Sequence, residues 1–599
     1  MNRSRELEKL GDFTTTLRVL PIAGMAIVIG VIGAYVALAL LRLIGFFTNL
    51  SYYQRLGSAL VSPAGNHMGW LAVLVPVAGG LGVGLMARYG SERIRGHGIP
   101  EAIESILIGG SKVQPRLAVL KPLSAALSIG TGGPFGAEGP IIMTGGAFGS
   151  MLAQLFRLTG AERKTLLVAG AAAGMSATFA APLSAILLAV ELLLFEWKPR
   201  SLIPVALASA TAGAARRYII GLGPLFPTPP HPVFIGPDGL IGCMICGLLA
   251  GVLSALLTGA VYAAEDAFAK LPIHWMWWPA IGGLVIGLGG MIFPQALGVG
   301  YDTIASLLQG NGAMGLLLGI LLVKSTIWAV SLGSGTSGGV LAPLLMMGGA
   351  LGGLEASFLP AAGAGFWPLV SMGAILGGTM RSPFTGIVFA VELTHDVNMV
   401  LPLLVAAVIA HTFTVLVLKR SILTEKVARR GFHLSREYSV DPLEVFFVRE
   451  VMRTKLIAFP GSVTLEEARR LVKNGHGGRG QHLYPVIDAD RRLSGVITRN
   501  DLAGYYGGRT LMSDVARHDP VVAIADEPLR AVVYRMAETG YTRMPVVDTT
   551  EERGVVGMVS LDDLLCARVR SLTEERSRER VLRIHLPFRG TTESASEAK

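Results

Sequence analysis

Four blocks of this sequence occur twice, and the second copy of each block follows the first at nearly the same distance. The paired blocks are residues 96–98 with 298–300, Lys121 with Lys324, residues 140–147 with 343–350, and residues 182–192 with 383–393. Their offsets lie between 201 and 203 residues (324 − 121 = 203). Shared apolar composition would produce scattered similarity rather than one constant spacing. The sequence therefore predicts two related halves, at about residues 15–220 and 238–418.

Both halves have the composition of a membrane domain. Hydrophobic residues make up 51% of the chain and charged residues 16%, and the mean hydropathy is +0.54. Stretches that lack Asp, Glu, Lys and Arg, each long enough to cross the ~30 Å hydrocarbon layer as a helix, are residues 21–41, 68–87, 239–264, 275–301 and 325–354. The 76 glycines and 32 prolines favour short and broken helices. We predict a polytopic membrane domain over residues 15–418 that holds its substrate between the halves, near the midplane.

One carboxylate stands in a glycine-rich stretch of this domain. Residues 130–140 read GTGGPFGAEGP, in which the acid is Glu138. Glycines let the backbone approach a ligand closely, and Pro140 suits the first turn of a helix. The free N–H groups and positive dipole end of a helix start attract an anion. Because Glu138 is itself an anion, we predict that its carboxylate and a permeating anion compete for one place.

The basic residues indicate orientation rather than a polyanionic partner. The formal net charge is +10, and the basic residues cluster beside the apolar part: Arg3, Arg5, Lys9 and Arg18 before it, and Lys419, Arg420, Lys426, Arg429 and Arg430 after it. This positive-inside pattern predicts an integral membrane protein with both termini in the cytoplasm, including an N-terminal segment at residues 1–14. We expect membrane lipid, and no nucleic acid, as a partner.

Three signatures carry a family resemblance. Residues 96–101 (GHGIPE), 136–140 (GAEGP) and 339–343 (GVLAP) resemble, in order and spacing, the anion-pathway signatures of the CLC family of chloride channels and proton-coupled chloride antiporters. The resemblance implies an α-helical polytopic fold of two inverted structural repeats with tilted and broken helices. It also implies a homodimer with one separate pore per subunit, and chloride or another small anion as the transported ligand.

The resemblance assigns roles to particular residues of this chain. Glu138 is implied to be the external gate, which occupies an anion site when deprotonated and leaves it when protonated or displaced. The implied anion-binding positions are Gly96, His97, Gly98, Ile99, Pro100, Gly136, Gly139, Gly339, Val340, Leu341 and Leu423. No cofactor and no metal are expected in this domain.

Two of these positions depart from the family pattern. His97 stands where serine is usual, so it either makes anion occupancy depend on pH or points away and leaves the backbone amides to bind the anion. Leu423 stands where a tyrosine usually donates a hydroxyl to the central anion. Without both side-chain donors, we expect a weaker or differently selective central site, with an apolar inner constriction.

A third departure concerns protons. Proton-coupled members carry an internal glutamate where this chain has Leu192, and leucine cannot carry a proton. Glu191 and its repeat mate Glu392 are interpreted as structural, capping or pairing within the fold, and Lys121 and Lys324 as buried partners of carboxylates or helix-end carbonyls. These features lead us to expect passive chloride conduction gated by Glu138. The alternative is chloride/proton antiport with a non-standard internal proton route, in which water supplies protons from inside.

A second pair of repeats follows a linker at residues 419–447. Residues 448–508 and 509–570 share a pattern of short β-branched strands and helices that resembles a tandem pair of cytoplasmic α/β CBS domains. The resemblance suggests an adenine nucleotide as a ligand, held by Thr498 and Asp501 or by Ser560 and Asp563. The same spacing also caps the helix that follows, so capping is the competing interpretation. The tail at residues 571–599 is predicted to be partly disordered.

Other classes of protein fit the sequence less well. A CBS-containing cation transporter would need converging membrane carboxylates, whereas these signatures supply N–H donors. A non-transporting receptor would not need Glu138 among glycines. An enzyme is not expected, because no metal-ligand cluster, phosphate-binding loop or nucleophile motif is apparent. Cys243 and Cys246 lie in an apolar run and are interpreted as packing residues.

Overall fold

The computed structural model describes residues 15–107, 109–231, 235–430, 443, 446–473, 481–504, 510–548 and 554–576. The predicted segment 1–14, part of the linker and most of the tail lie outside these residues. The chain forms two compact units, a helical unit over Leu10–Arg436 and a second unit that contains Glu437–Lys599.

The first half of the helical unit is a series of helices of very unequal length. They are α1 Val19–Tyr53, α2 Leu74–Tyr89, α3 Ile99–Leu107, α4 Pro115–Gly130, α5 Glu138–Gln154, α6 Gly160–Phe179, α7 Pro182–Leu188 and α8 Pro199–Ile219. Proline occupies the first turn of several of them because its fixed φ suits a helix start and its missing N–H costs nothing there. Helices α5 and α6 cross closely, since a Cβ at Gly145 would lie 2.3 Å from the Gly170 carbonyl oxygen.

The second half repeats this series. Its helices are α9 Pro237–Ala269, α10 Trp278–Ile292, α11 Tyr301–Leu308, α12 Met314–Gly319, α13 Ser325–Gly333, α14 Leu341–Glu355, α15 Phe366–Met380, α16 Pro383–Thr394, α17 Val400–Val417 and α18 Ile422–Arg429. Six segments of the described residues are long and apolar enough to cross a membrane: Val19–Tyr53, Gly69–Tyr89, Pro237–Ala269, Trp275–Ile292, Met314–Gly333 and Val397–Arg429. The protein is an integral membrane protein built from tilted and broken helices.

Two of the uncharged stretches are not single helices. Residues 325–354 divide between α13 and α14, with a loop at 334–340 that contains three glycines. In the stretch 275–301 the α-helix ends at Ile292 and is followed by a short 3₁₀ turn at Pro294–Ala296. A segment without charged residues is compatible with lipid, but its glycines determine where the backbone bends. The length of an uncharged stretch therefore overestimates the length of the helix that forms in it.

The two glutamates that recur in the repeat cap each other's helices. The Glu191 carboxylate accepts hydrogen bonds from the N–H groups of Phe384 (3.3 Å) and Thr385 (2.8 Å) at the start of α16. The Glu392 carboxylate accepts from the N–H groups of Leu183 (2.8 Å) and Ser184 (2.8 Å) at the start of α7. A carboxylate satisfies free N–H groups at a helix N-terminus and opposes its dipole. The structural interpretation of both glutamates is confirmed.

The two repeated lysines hold equivalent backbone turns. The Lys121 ammonium donates to the carbonyl oxygens of Ile94 and Gly96, both at 2.8 Å. The Lys324 ammonium donates to those of Ala296 (3.1 Å) and Gly298 (3.2 Å). Both lysines are fully buried. Of the two partners expected from the sequence, carbonyl oxygens are the ones observed.

The second unit contains two sheets of the same design. Its elements are α19 Val448–Val451, β1 Phe459–Pro460, α20 Leu465–Lys473, β2 Leu483–Ile487, β3 Leu493–Thr498, α21 Arg499–Gly504, α22 Met512–Val515, β4 Arg517–His518, β5 Ala523–Ile524, α23 Leu529–Thr539, β6 Arg543–Val547, β7 Val555–Ser560 and α24 Leu561–Arg576. In the sheet β1-β2-β3-β4 the first pair is parallel and the others antiparallel. The sheet β5-β6-β7 likewise has one parallel and one antiparallel pair.

The reciprocal caps make a matched stability test. We expect Glu191→Gln and Glu392→Gln each to destabilise the protein, because an amide NH₂ group would face backbone donors. Both carboxylates are only partly buried, so the loss for each should be about 1 kcal/mol, at the low end of the cost of an unsatisfied donor. Thermal unfolding of the detergent-solubilised protein measures it. Full stability in either variant would contradict equivalent roles for the two glutamates.

Candidate anion-transport site

The glycine-rich loops of the two halves are joined by paired backbone hydrogen bonds. The Gly136 N–H donates to the Gly339 carbonyl oxygen at 3.1 Å, and the Gly339 N–H donates to that of Gly136 at 2.8 Å. Helix α5 begins two residues after Gly136, and helix α14 begins two residues after Gly339. The pairing therefore brings two helix N-termini, one from each half, to the same place.

The Glu138 carboxylate occupies the space between these N-termini. The residue is 0% exposed, and the backbone N–H groups of Glu138 itself and of Ala342 face its carboxylate. Neither carboxylate oxygen has a partner with good hydrogen-bond geometry among the described residues. A Cβ at Gly136 would lie 1.7 Å from one of these oxygens, and one at Gly339 would lie 2.8 Å from it. The Glu138 carboxylate thus fills a space that is open because Gly136 and Gly339 have no side chains. We call this space the anion cradle.

The first signature forms another side of the site. The Gly96 N–H donates to the Thr336 carbonyl oxygen at 3.0 Å. Gly98 has φ +89°, and a Cβ there would lie 2.6 Å from the Gly139 carbonyl oxygen, so a side chain is excluded. Helix α3 begins at Ile99, which is followed by Pro100. The structure brings these residues together with the other two signatures; Val340 and Leu341 are also fully buried.

His97 is buried beside several charged groups. It is 3% exposed, and its ring Nδ1 has no partner among the described residues. Three cations, Lys426, Lys121 and Arg430, and one anion, Glu101, act on the ring electrostatically. Cations disfavour a further positive charge. A neutral imidazole that can donate one N–H is therefore the form that suits this position.

Glu101 is a residue of the site to which the sequence analysis gave no role. Its carboxylate accepts a hydrogen bond from the Gly98 N–H at 3.0 Å. It also forms ion pairs with Lys426 (3.4 Å), which lies in α18, and with Arg430 (3.1 Å), which follows α18 directly. These bonds hold α18 against the first signature. The only feature of the sequence that could have revealed this role was an acidic residue at the start of α3. Its cationic partners lie more than 300 residues away.

The two leucines that replace family side chains are both buried. Leu423 lies in α18 and is 0% exposed, and the neighbouring Ile422 carbonyl oxygen accepts a 2.5 Å hydrogen bond from the Tyr262 hydroxyl. Leu192 is also 0% exposed and lies in a π-helical turn, Ala189–Leu194, that extends α7. Neither position offers a hydroxyl or a carboxyl group.

In the CBS unit, the two predicted nucleotide-binding pairs have different surroundings. A cleft of about 430 Å³ is lined by Arg453, Lys455, Leu456, Gln481, His482, Arg543, Met558, Val559, Ser560, Asp562 and Asp563. Thr498 and Asp501 are not part of its lining. Both pairs cap helices: the Asp501 N–H donates to the Thr498 hydroxyl (3.1 Å), and the Ser560 N–H donates to the Asp563 carboxylate (2.9 Å).

Comparison with known families agrees with this architecture. The family model described as "Voltage gated chloride channel" matches residues 78–415. The CBS domain model matches residues 448–508 and 512–570. The chain belongs to the CLC family of anion-transport proteins and carries a C-terminal pair of CBS domains.

Individual proteins show the same relationship. A Ralstonia nicotianae protein whose name includes the words "chloride channel protein ClcB-like" is 30% identical over 395 residues, which cover 64% of this chain and 92% of that protein. The "H(+)/Cl(-) exchange transporter ClcA" of Klebsiella pneumoniae is 32% identical over 409 residues, which cover 64% and 83%.

Solved structures share the fold. The crystal structure of a slow cyanobacterial Cl−/H+ antiporter aligns with a TM-score of 0.60 at 23% identity, covering 70% of this chain and 99% of that chain. The crystal structure of a eukaryotic CLC transporter aligns with a TM-score of 0.57 at 20% identity, covering 91% and 98%.

Two glycines of the site should respond differently to alanine. We expect Gly136→Ala to fold, because its Cβ meets only the movable end of the Glu138 side chain and would push that carboxylate out of the cradle. We expect Gly139→Ala to misfold, because its Cβ would lie 1.7 Å from the His97 carbonyl oxygen, which is backbone. Size-exclusion profiles report folding, and chloride efflux from proteoliposomes at two external pH values should be less pH-dependent in Gly136→Ala. Equal behaviour of the two variants would contradict the geometry.

Proposed function

We propose that this protein exchanges chloride for protons across the membrane, with Glu138 as the residue that both species use. The observation that carries the proposal is the buried Glu138 carboxylate, which occupies an anion cradle without a fixed partner. An anion that takes this place must expel the carboxylate by electrostatic competition. A carboxyl group that leaves two helix N-termini loses their favourable field, so protonation accompanies its departure.

Several relatives support exchange over passive conduction, whereas the Ralstonia nicotianae protein is named as a chloride channel protein. Several are named H(+)/Cl(-) exchange transporters, and a structure with the same fold is a Cl−/H+ antiporter. The sequence alone favoured a channel, because Leu192 stands where proton-coupled members have an internal glutamate and offers no carboxyl group to carry a proton. In the exchange proposal, water entering from the cytoplasmic side supplies that proton, and the neutral His97 ring donates to the anion rather than carrying the proton.

Passive chloride conduction gated by Glu138 is the second candidate. The specific observation in its favour is that Leu192 is fully buried and that the carboxylate of its neighbour Glu191 is engaged in capping α16. If no proton reaches Glu138 from inside, the carboxylate exchanges protons with only one side of the membrane. The cradle would then gate chloride flow without coupling it to protons.

A chloride gradient across sealed proteoliposomes separates these functions. Exchange predicts that chloride flow drives protons uphill in the opposite direction, detected with a pH-sensitive dye. We expect Glu138→Gln to abolish the proton movement while chloride still flows, because an amide fills the cradle without binding a proton. Chloride flow with no proton movement in the unmodified protein would support the channel instead.

Glu355→Gln is the matched control for this measurement. Glu355 is a buried carboxyl group, 1% exposed, at the opposite end of α14 from the cradle. We expect this variant to retain both chloride and proton transport. Loss of proton movement in the control would show that the effect of Glu138→Gln is not specific to the cradle.

We also propose that two copies of the chain associate as a homodimer. The resemblance of the signatures implies such a dimer, and apolar side chains on α7 and α16 point away from the rest of the chain. Leu183 is 59% exposed and Phe384 is 58% exposed, each beside a helix start that the repeated glutamates cap. A second copy that covers these helices would bury both side chains.

For the CBS domains we propose an adenine nucleotide in the cleft beside Ser560 and Asp563. Lys455 and Arg543 line this cleft, and Arg543 lies directly opposite Ser560 in the β6–β7 ladder. Cationic side chains beside a hydroxyl suit phosphate, and a carboxylate suits a ribose hydroxyl. Arg453 also lines this cleft, where it donates to the Asp563 carboxylate at 2.8 Å; this bond raises the pKa of a guanidinium that is already cationic. The Thr498–Asp501 pair is interpreted as a helix cap.

ATP titration of the full-length protein tests this cleft. We expect Lys455→Gln combined with Arg543→Gln to weaken ATP binding about tenfold or more, because charge-assisted bonds to phosphate are lost. Calorimetry measures the affinity. The control is Arg517→Gln, which removes a cation paired with Asp501 (3.0 Å) outside the cleft lining and should leave ATP affinity unchanged. Binding that falls only in the control would place the nucleotide in the other repeat.

A further inference from the structure

Tyr301 carries a hydroxyl group within the electrostatic reach of Glu138 and has no assigned role. Tyr301 is the first residue of α11, and its ring packs edge-on against Phe226 with the ring centroids 5.9 Å apart. Its hydroxyl is buried and has no hydrogen-bond partner among the described residues. A buried hydroxyl without a hydrogen-bond partner is energetically costly. We therefore expect another group to form a hydrogen bond with it in a different state of the protein.

The repeat identifies where this tyrosine lies relative to the first signature. Residues 298–301 correspond to residues 96–99, so Tyr301 is the counterpart of Ile99. The backbone before each residue is held by the equivalent lysine, as described above. The Gly298 N–H also donates to the Gly132 carbonyl oxygen at 3.1 Å, which joins this segment to the glycine-rich stretch that leads to Glu138.

The charges around the first signature show which side of the membrane each copy faces. Lys426 and Arg430 are ion-paired with Glu101 in the first signature, and clustered cations mark the cytoplasmic side. Because the two halves are inverted repeats, residues 298–301 approach Glu138 from the opposite, external side. A cavity of about 90 Å³ lies there, lined in part by residues 298–303. That volume is enough for a few water molecules.

The charged groups near the tyrosine are few. Within the described part of the chain, the Glu138 carboxylate is the ionisable group whose field acts on the Tyr301 hydroxyl. Lys324 lies near Gly300 but donates to backbone carbonyl oxygens. Asp302, on the same helix, lines the cavity. Glu138 is therefore the group that can supply the missing partner.

We infer that the Tyr301 hydroxyl receives the Glu138 carboxyl group when that group leaves the anion cradle toward the external side. This inference rests on the proposed movement of Glu138. A phenol hydroxyl donates to an ionised carboxylate and accepts from a protonated one. The bond to the ionised form is charge-assisted and the stronger of the two. Tyr301 thus acts as a positioning residue that favours release of the proton to the outside.

The variant Tyr301→Phe removes this hydroxyl and keeps the ring. Without the bond, the ionised outward carboxylate is less stable, so protonation occurs at a higher pH. We expect the external pH midpoint of chloride transport in proteoliposomes to rise by about one pH unit, the shift that corresponds to one charge-assisted hydrogen bond. An unchanged midpoint in a protein that transports chloride would overturn the inference.

Two further variants separate this role from a structural one. The Tyr52 hydroxyl donates to the Thr131 carbonyl oxygen at 3.0 Å, so Tyr52→Phe removes a buried hydroxyl that already has a backbone partner. It should leave the midpoint unchanged, and a rise equal to that of Tyr301→Phe would refute a specific role for Tyr301. Adding Tyr301→Phe to Glu138→Gln should cause no further change in pH dependence, and an additional shift would likewise count against the pairing.

The same series of variants tests the role of Glu138 and the role of Tyr301 separately. If Glu138→Gln keeps the full pH dependence, the proposed function fails and the inference fails with it. If Glu138→Gln loses the pH dependence but Tyr301→Phe behaves as the unmodified protein, the role of Glu138 stands and only the external partner is wrong.

Discussion

The structure depends on two helix N-termini that backbone pairing holds at one buried point. Each N-terminus carries roughly half a positive elementary charge, and the paired N–H and carbonyl groups of Gly136 and Gly339 keep the two ends together. A carboxylate buried without such a field would be prohibitively costly. The field makes the position of Glu138 tolerable, and it makes the same position attractive to chloride. The proposed competition between the carboxylate and chloride rests on that shared preference.

Comparison of the two halves distinguishes residues that support the fold from residues of the anion site. Residues that support the fold keep the same chemistry in both halves, as Lys121 and Lys324 do with backbone carbonyl oxygens. Residues that face the pathway have diverged. At the offset of 203 residues, the counterpart of Glu138 is Leu341 (341 − 138 = 203), so one half supplies an acid and the other an apolar side chain. Two equivalent acids would repel each other in one cradle, whereas a single acid meets no such repulsion.

The sequence predicted the scaffold better than the details of the site. The glutamate caps could be anticipated because a residue that recurs with its neighbours is explained more simply by the fold than by the pathway. The ion pairs of Glu101 could not, because its partners Lys426 and Arg430 come from the end of the membrane domain. The free hydroxyl of Tyr301 was missed for a related reason: an aromatic residue at a helix start gives no sign of whether its hydroxyl has a partner.

By itself, the sequence determined the family, the twofold repeat and the identity of the buried acid at a helix start, because these depend on local glycine, proline and charge patterns that survive in linear order. Only the tertiary structure decided which groups lie near one another: the two helix ends beside Glu138, the cations beside His97, and the Tyr301 hydroxyl within the field of Glu138. These neighbours come from segments far apart in the chain. Their distances depend on how the inverted halves pack, and packing depends on shape and contact that no single segment encodes.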